Sequence, residues 1–223
     1  TFSVGLYVQP EYHAFRANAL GYNSNGKLAV GYFNWSSGIG PFDVNLNAST
    51  TLGGYSTWNF NRLTALSTFR SKKIYGLRAL QRITAGKIWS NDNLPGQEGY
   101  NINGNSSNEM LKKNYLVDQF YGNLELFNHY HLPGEGNIRG FFDPSARGAD
   151  ALISSSTEFV ADKGFLQNKF NLSLAVFGDA GVFWIKSPQH PWYPPKLRER
   201  IISNLGVGTR IKTKAFEKEL FLR

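Results

Sequence analysis

Apolar and polar side chains alternate along most of this chain with period two, the signature of strands that show one apolar face. Residues 2–9 place Phe2, Val4, Leu6 and Val8 on one side, with Ser3, Gly5, Tyr7 and Gln9 on the other. Residues 42–52 repeat the pattern, setting Phe42, Val44, Leu46, Ala48 and Leu52 against Asp43, Asn45, Asn47, Ser49 and Thr51. Residues 116–128 set Leu116, Phe120, Leu124 and Leu126 against Gln119, Tyr121, Asn123 and Glu125. The alternation is less regular over 12–22, 27–35, 57–69, 76–89 and 200–213. With 151–161 and 171–184, about ten complete strands are predicted, most near the roughly 9–11 residues that cross a bilayer when tilted. An eleventh opens at 217–223. No helix beyond a turn or two is predicted.

The connections differ in style. Asn23-Ser24-Asn25-Gly26 reads as a tight hairpin turn of the Asn/Gly kind. Segments 90–114, 131–150 and 185–199 read as long and irregular, the last carrying Pro188, Pro191, Pro194 and Pro195. Short turns at one end and long loops at the other is the layout of an outer-membrane barrel. A soluble β-sandwich also alternates. Small polar residues on one face, apolar ones on the other and aromatics near strand ends favour the barrel.

Composition sharpens this. Charged residues are 18% of the 223, below the roughly 25% of ordinary soluble domains, while aromatics reach 15%. So many large apolar side chains exclude a disordered chain. The absence of cysteine excludes a disulfide framework and a thiolate metal site. Apolar runs fall far short of the ~20 residues of a membrane-spanning helix.

The net charge is +8, from 24 Lys+Arg against 16 Asp+Glu. The cations cluster at predicted loops and strand ends (Arg70, Lys72, Lys73; Lys196, Arg198, Arg200; Lys212, Lys214, Lys218). No nucleic-acid module accompanies them, and a phosphate-rich membrane surface suits such placement. The chain starts at Thr1 with no signal segment, and Leu220-Phe221-Leu222-Arg223 opens a strand that stops short. Residues 1–223 are expected to form a single domain and to be a piece of a longer polypeptide.

Enzymatic motifs are missing. There is no Gly-x-Ser-x-Gly elbow and no phosphate loop ending in Gly-Lys-Ser/Thr. Gly134-Glu135-Gly136-Asn137-Ile138-Arg139-Gly140 resembles a dinucleotide loop only loosely, with no crossover helix after it. His129 and His131 share a strand face but have no evident third ligand, so two surface histidines are expected. The sequon-like triplets, such as Asn34-Trp35-Ser36, are what 21 asparagines in a Ser-rich chain give by chance.

One constellation remains. Segment 131–150 carries Ile138-Arg139-Gly140-Phe141 inside a Gly/Pro-rich stretch. Strand 151–161 shows Ser154, Ser156 and Glu158 on one face and Ile153, Phe159 and Ala161 on the other. In strand 171–184, Leu172, Leu174, Val176, Ala180, Val182 and Trp184 alternate with Ser173, Ala175, Phe177, Asp179, Gly181 and Phe183. With apolar faces toward lipid, Glu158 and Asp179 both point into the lumen, where their repulsion is poorly screened. An arginine from the preceding loop would relieve it, because its planar fork holds two acceptors at once. The expectation is that loop 131–150 folds into the lumen with Arg139 bridging Glu158 and Asp179. The alternative is a solvated Arg139 and two carboxylates facing water.

These residues resemble the motifs of the Omp85 superfamily of outer-membrane barrels, which includes BamA- and TamA-like assembly proteins and two-partner secretion transporters. Ile138-Arg139-Gly140-Phe141 is similar to the family's loop motif. Glu158 stands at its acidic strand position, and Phe177-Gly178-Asp179-Ala180-Gly181 is similar to its Phe-x-Asp-x-Gly strand motif. The resemblance implies an all-β, transmembrane antiparallel barrel of the sixteen-stranded Omp85 type, of which ten to eleven strands are present; residues 1–223 would be the C-terminal portion of that barrel, with the upstream domains and the last strand outside them. It implies insertion of other barrels into the bacterial outer membrane or translocation of polypeptides, with no cofactor, no metal and no catalytic residue. Implied partners are the lipid bilayer and lipopolysaccharide, unfolded outer-membrane or secreted clients and accessory lipoproteins, with no nucleic acid. Two other roles stay open: a barrel that anchors or exports a fused upstream hydrolase, patatin- or peptidase-like, and a passive pore or structural component.

Overall fold

The computed structural model describes residues 1–12, 26–90, 94, 98–100, 135–138, 149–161, 172–185, 199–212 and 219–222. They form one antiparallel sheet of nine strands in chain order. The strands are β1 (Phe2–Tyr12), β2 (Gly26–Ile39), β3 (Phe42–Thr51), β4 (Phe60–Arg70), β5 (Leu77–Ser90), β6 (Ala151–Ala161), β7 (Leu172–Trp184), β8 (Glu199–Lys212) and β9 (Glu219–Leu222). Among the described residues the sheet is open, with β1 and β9 at its edges. The expected strand at 116–128 lies outside the described residues.

The connections sort by end. β2 and β3 are joined only by Gly40 and Pro41, with Gly40 in the left-handed region at φ 59°. β4 and β5 close through Tyr75 (φ 49°) and Gly76 (φ 84°), flanked by the bridge Ile74↔Leu77. Two successive positive φ values make a type I′ turn, whose twist matches that of the flanking strands. β6 and β7 are joined at that same end by 162–171, while β1–β2, β3–β4, β5–β6 and β7–β8 are joined at the opposite end, the longest of these links being that between β5 and β6.

Leu28–Trp35 of β2 is paired along one edge with Phe2–Gln9, through pairs from Phe2↔Trp35 to Gln9↔Leu28. Its other edge is taken by β3 from Val30↔Thr51 to Ile39↔Phe42. The expected strand at 12–22 and the expected turn at 23–26 fall on residues 13–25, which lie outside the described residues.

Directly opposed residues in an antiparallel sheet share a face, so the register sorts every strand at once. One face carries Val4, Phe33, Ile83, Ile153, Phe159, Val176, Leu205 and Val207 exposed, with Phe159 60% and Leu205 85% accessible. Such an area of exposed apolar surface has no place in water. On a closed barrel it faces hydrocarbon, where only the internally bonded backbone of a barrel or helix is tolerated.

The other face is buried and layered. Toward the long connections Leu28, Val30, Phe60, Ile88, Leu152, Phe183 and Ile202 form an apolar cluster. Toward the short turns Leu80, Val160, Ala175 and Phe177 form a smaller one. Between them runs a polar belt of Thr64, Thr68, Arg82, Thr84, Ser154, Ser156, Glu158 and Asp179, all buried.

Candidate functional site in the barrel lumen

Three cross-strand rows build the site. The first runs Thr68, Arg82, Ser156, Asp179 and Asn204 across β4–β8. The second, one pleat toward the short turns, runs Leu80, Glu158, Phe177 and Gly206. The third, one pleat the other way, runs Leu66, Thr84, Ser154, Gly181 and Ile202. Neighbouring strands lie about 4.8 Å apart, so the row places Arg82 roughly two strand spacings, about 10 Å, from Asp179. Glu158 and Asp179 are 1% and 2% accessible. Carboxylates so placed require cationic or hydrogen-bonding neighbours.

Residues 135–138 lie against these rows. Glu135 forms an ion pair with Arg62 Nη2 of β4, and Arg82 Nη2 of β5 donates to the Glu135 carbonyl at 2.7 Å. Asn137 is fully buried and holds φ 52°, a left-handed conformation that Asn adopts more readily than most residues. Its Nδ2 donates to Ser156 Oγ at 3.1 Å, and Ser156 Oγ donates to the Asn137 carbonyl at 3.2 Å. Ile138, also fully buried, packs onto the strand at Gly181, where an added Cβ would sit 3.1 Å from Ile138 Cδ1. A side chain at Gly181 would press on Ile138 and, at 3.2 Å, on the Ile153 carbonyl and Ser154 Cβ of β6, so glycine gives the loop's apolar side chain its room.

A second stretch of the same connection joins in. Tyr100 pairs with Ala149 through two backbone bonds of 2.8 and 2.9 Å, just before β6. Its ring covers Gly86, where an added Cβ would lie 2.5 Å from Tyr100 Cζ. The phenol donates to the Leu63 carbonyl at 2.8 Å and shares a 2.9 Å bond with Thr64 Oγ1. Arg62 stacks over the same ring at 4.4 Å and donates to the Glu98 carbonyl at 3.2 Å. One guanidinium therefore ties both stretches, 98–100 and 135–138, to the β4 wall. Beside them a cavity of about 270 Å³ opens toward β1–β3, lined by Tyr7, Tyr32, Asn47, Arg62, Arg82 and Glu135 among others.

The expected site residues are placed as follows. Ile138, Glu158, Phe177, Asp179 and Gly181 are on the lumen side, with Phe177 seated over Gly206 of the adjacent strand. Arg139, Gly140 and Phe141 lie outside the described residues. Arg62, Arg82, Tyr100, Glu135 and Asn137 escaped the reading of the sequence. Arg82 offered one signal: it falls in the opposite phase to Ile83 and Ala85. The outward positions Gln81 and Lys87 masked it by breaking the apolar face of β5.

A nine-stranded antiparallel sheet with one lipid-facing side and loop residues packed on the other defines an outer-membrane barrel with an internally docked loop. The model of the Omp85 superfamily domain matches residues 24–215, and the chain belongs to that superfamily. Among solved structures it is similar to BamA from Haemophilus ducreyi lacking POTRA domains 1–3, with TM-score 0.57 and 15% sequence identity. That likeness covers 86% of this chain and 38% of the other, so the chain spans well under half the length of the BamA chain it matches. A search of curated proteins finds no match.

Proposed function

We propose that this barrel serves the insertion of other barrels into the bacterial outer membrane, or the passage of polypeptides across it. The observation that carries this reading is the docking of residues 135–138 on the inner wall, directly before Arg139. A loop held inside the lumen braces a wall whose strands must part or thin for a client, because unpaired strand groups in hydrocarbon are costly. Arg139, reaching Glu158 and Asp179, would complete the brace. These residues act as anchors, and the barrel has no catalytic step of its own. Its partners are lipid, lipopolysaccharide, unfolded clients and accessory lipoproteins.

Reconstitution tests it. The full-length protein in vesicles should accelerate folding of an urea-unfolded outer-membrane client, read by its heat-modifiable gel mobility, and Arg139→Ala should lose most of that gain. Client folding at the rate of empty vesicles, with steady ion conductance instead, would overturn the proposal in favour of a passive pore.

A further inference from the structure

Two buried hydroxyls lie within the footprint of the docked loop without bonding to it. Thr84 and Ser154 stand directly opposite each other on β5 and β6, and each is 1% accessible. Loop residues sit on four neighbours of the pair. Glu135 meets Arg82, Tyr100 covers Gly86, Ile138 covers Gly181, and Asn137 bonds Ser156. Thr84 Oγ1 and Ser154 Oγ nevertheless have no hydrogen-bond partner among the described residues. A hydroxyl taken out of water without a replacement bond costs free energy, so the pair calls for a partner.

Thr84 lines the cavity of about 270 Å³ beside the loop. That volume lies just under the roughly 300–1,000 Å³ of drug-sized ligand sites, which leaves room for one compact ring. The lining carries Arg62 and Arg82 together with Glu98 and Glu135, so its formal charges cancel and neither an anion nor a cation is favoured. Asn34 and Asn47, directly opposed on β2 and β3, add two amides that both donate and accept. Tyr7 and Tyr32 add two rings with centroids 6.3 Å apart and planes inclined at 38°. Donors, acceptors and apolar ring faces around a small neutral cavity match a molecule that carries hydroxyls on a C–H framework. An extended peptide needs a path open at both ends, whereas Thr84 and its neighbour Ser154 are almost wholly enclosed.

We propose that this cavity is a binding site for one ring of a neutral saccharide. One sugar hydroxyl bonds Thr84 at the enclosed side, the amides of Asn34 and Asn47 bond others, and Tyr7 and Tyr32 flank the ring. The site goes beyond the insertion or passage of clients and is independent of either. Glu98 and Glu135 belong to the loop and line the cavity with strand residues, so an occupant stabilises the docked loop by mass action.

The test uses the full-length protein folded in micelles of a detergent without sugar headgroups. Saturation-transfer NMR with glucose and with maltose as probes should show transfer to the ring protons, and titration gives the affinity. Thr84→Val removes a hydroxyl that holds no bond among the described residues. Its heat-modifiable gel mobility should therefore match wild type while the sugar binds severalfold more weakly. Asn47→Ala, at an exposed wall position, should weaken binding in the same way. No transfer to either sugar would overturn the site, as would sugar binding undiminished in both variants. Binding of inorganic phosphate or triglycine in place of the sugars would overturn it too, assigning the cavity to an anion or to a peptide.

Discussion

Asn137 and Ser156 bond to each other twice, side chain to side chain at 3.1 Å and hydroxyl to carbonyl at 3.2 Å. The pair fastens the residue two before Arg139 to the middle of β6. Both partners are fully buried, so each bond replaces hydration that the lumen does not offer there. Asn137 also sets the direction of the chain, because its positive φ turns the backbone so that Ile138 meets Gly181.

Asn137→Ala removes both the amide and the residue type suited to this conformation. Leaving the Ser156 hydroxyl short of a partner costs about 1–3 kcal/mol, and the strain adds to it. Asn137→Gly keeps the backbone free to adopt φ 52° and should lose less. The readout is the temperature at which the folded barrel changes gel mobility, with the order wild type, Asn137→Gly, Asn137→Ala.

Arg62 and Glu135 should behave as a coupled pair. Their side chains are 21% and 17% accessible, which weakens the pair relative to a fully buried one. Arg62→Ala is expected to cost about 2 kcal/mol, since charged hydrogen bonds run at roughly 1.5–3 kcal/mol. Glu135→Gln should cost less, because Arg82 bonds the Glu135 backbone carbonyl, which that change retains. A double-mutant cycle on barrel stability should show the two effects to be less than additive. Simple additivity would mean that the ion pair contributes nothing.

Two glycines should resist even a methyl group, to different degrees. Gly86→Ala drives a Cβ to 2.5 Å from the Tyr100 ring, so the ring must leave and the bonds to Leu63 and Thr64 go with it. Gly181→Ala meets Ile138 Cδ1 at 3.1 Å and the Ile153 carbonyl oxygen at 3.2 Å. Adding Ile138→Ala should restore part of what Gly181→Ala loses, since one of its three close contacts disappears while the Ile153 carbonyl and Ser154 Cβ remain. Limited proteolysis of the 91–150 connection reports both, and Gly86→Ala should expose it more.

Arg139→Glu should raise cleavage within 139–148 severalfold if Arg139 joins Glu158 and Asp179. Glu158→Gln and Asp179→Asn should each raise it less, because one acceptor remains for the guanidinium. Unchanged cleavage in Arg139→Glu would remove Arg139 from the brace.

Much of the sheet was legible because lipid on one side and a packed lumen on the other enforce strict alternation. The bounds 151–161 agree with β6, and the inward set Ser154, Ser156 and Glu158 is the buried one. For β7 the inward set Ser173, Ala175, Phe177, Asp179 and Gly181 is likewise buried. Legibility failed where the pattern is local but the cause is not. Arg62 and Arg82 belong to strands whose outward faces carry Asn61, Gln81 and Lys87, so phase alone did not separate lumen from lipid. Glu135 and Asn137 read as generic loop residues because their partners lie 73 and 19 positions away.

The docking of residues 135–138 on the β6–β7 wall is open to direct chemical capture. The sequence has no cysteine, so Asn137→Cys/Ser156→Cys introduces two thiols where the native side chains touch. In the full-length protein folded in membranes, mild oxidation should close a disulfide that changes gel mobility and protects both thiols from maleimide. Each single variant should form none. If the double variant stays reduced and both thiols label from the aqueous phase, the loop is not held on the wall and the brace is wrong.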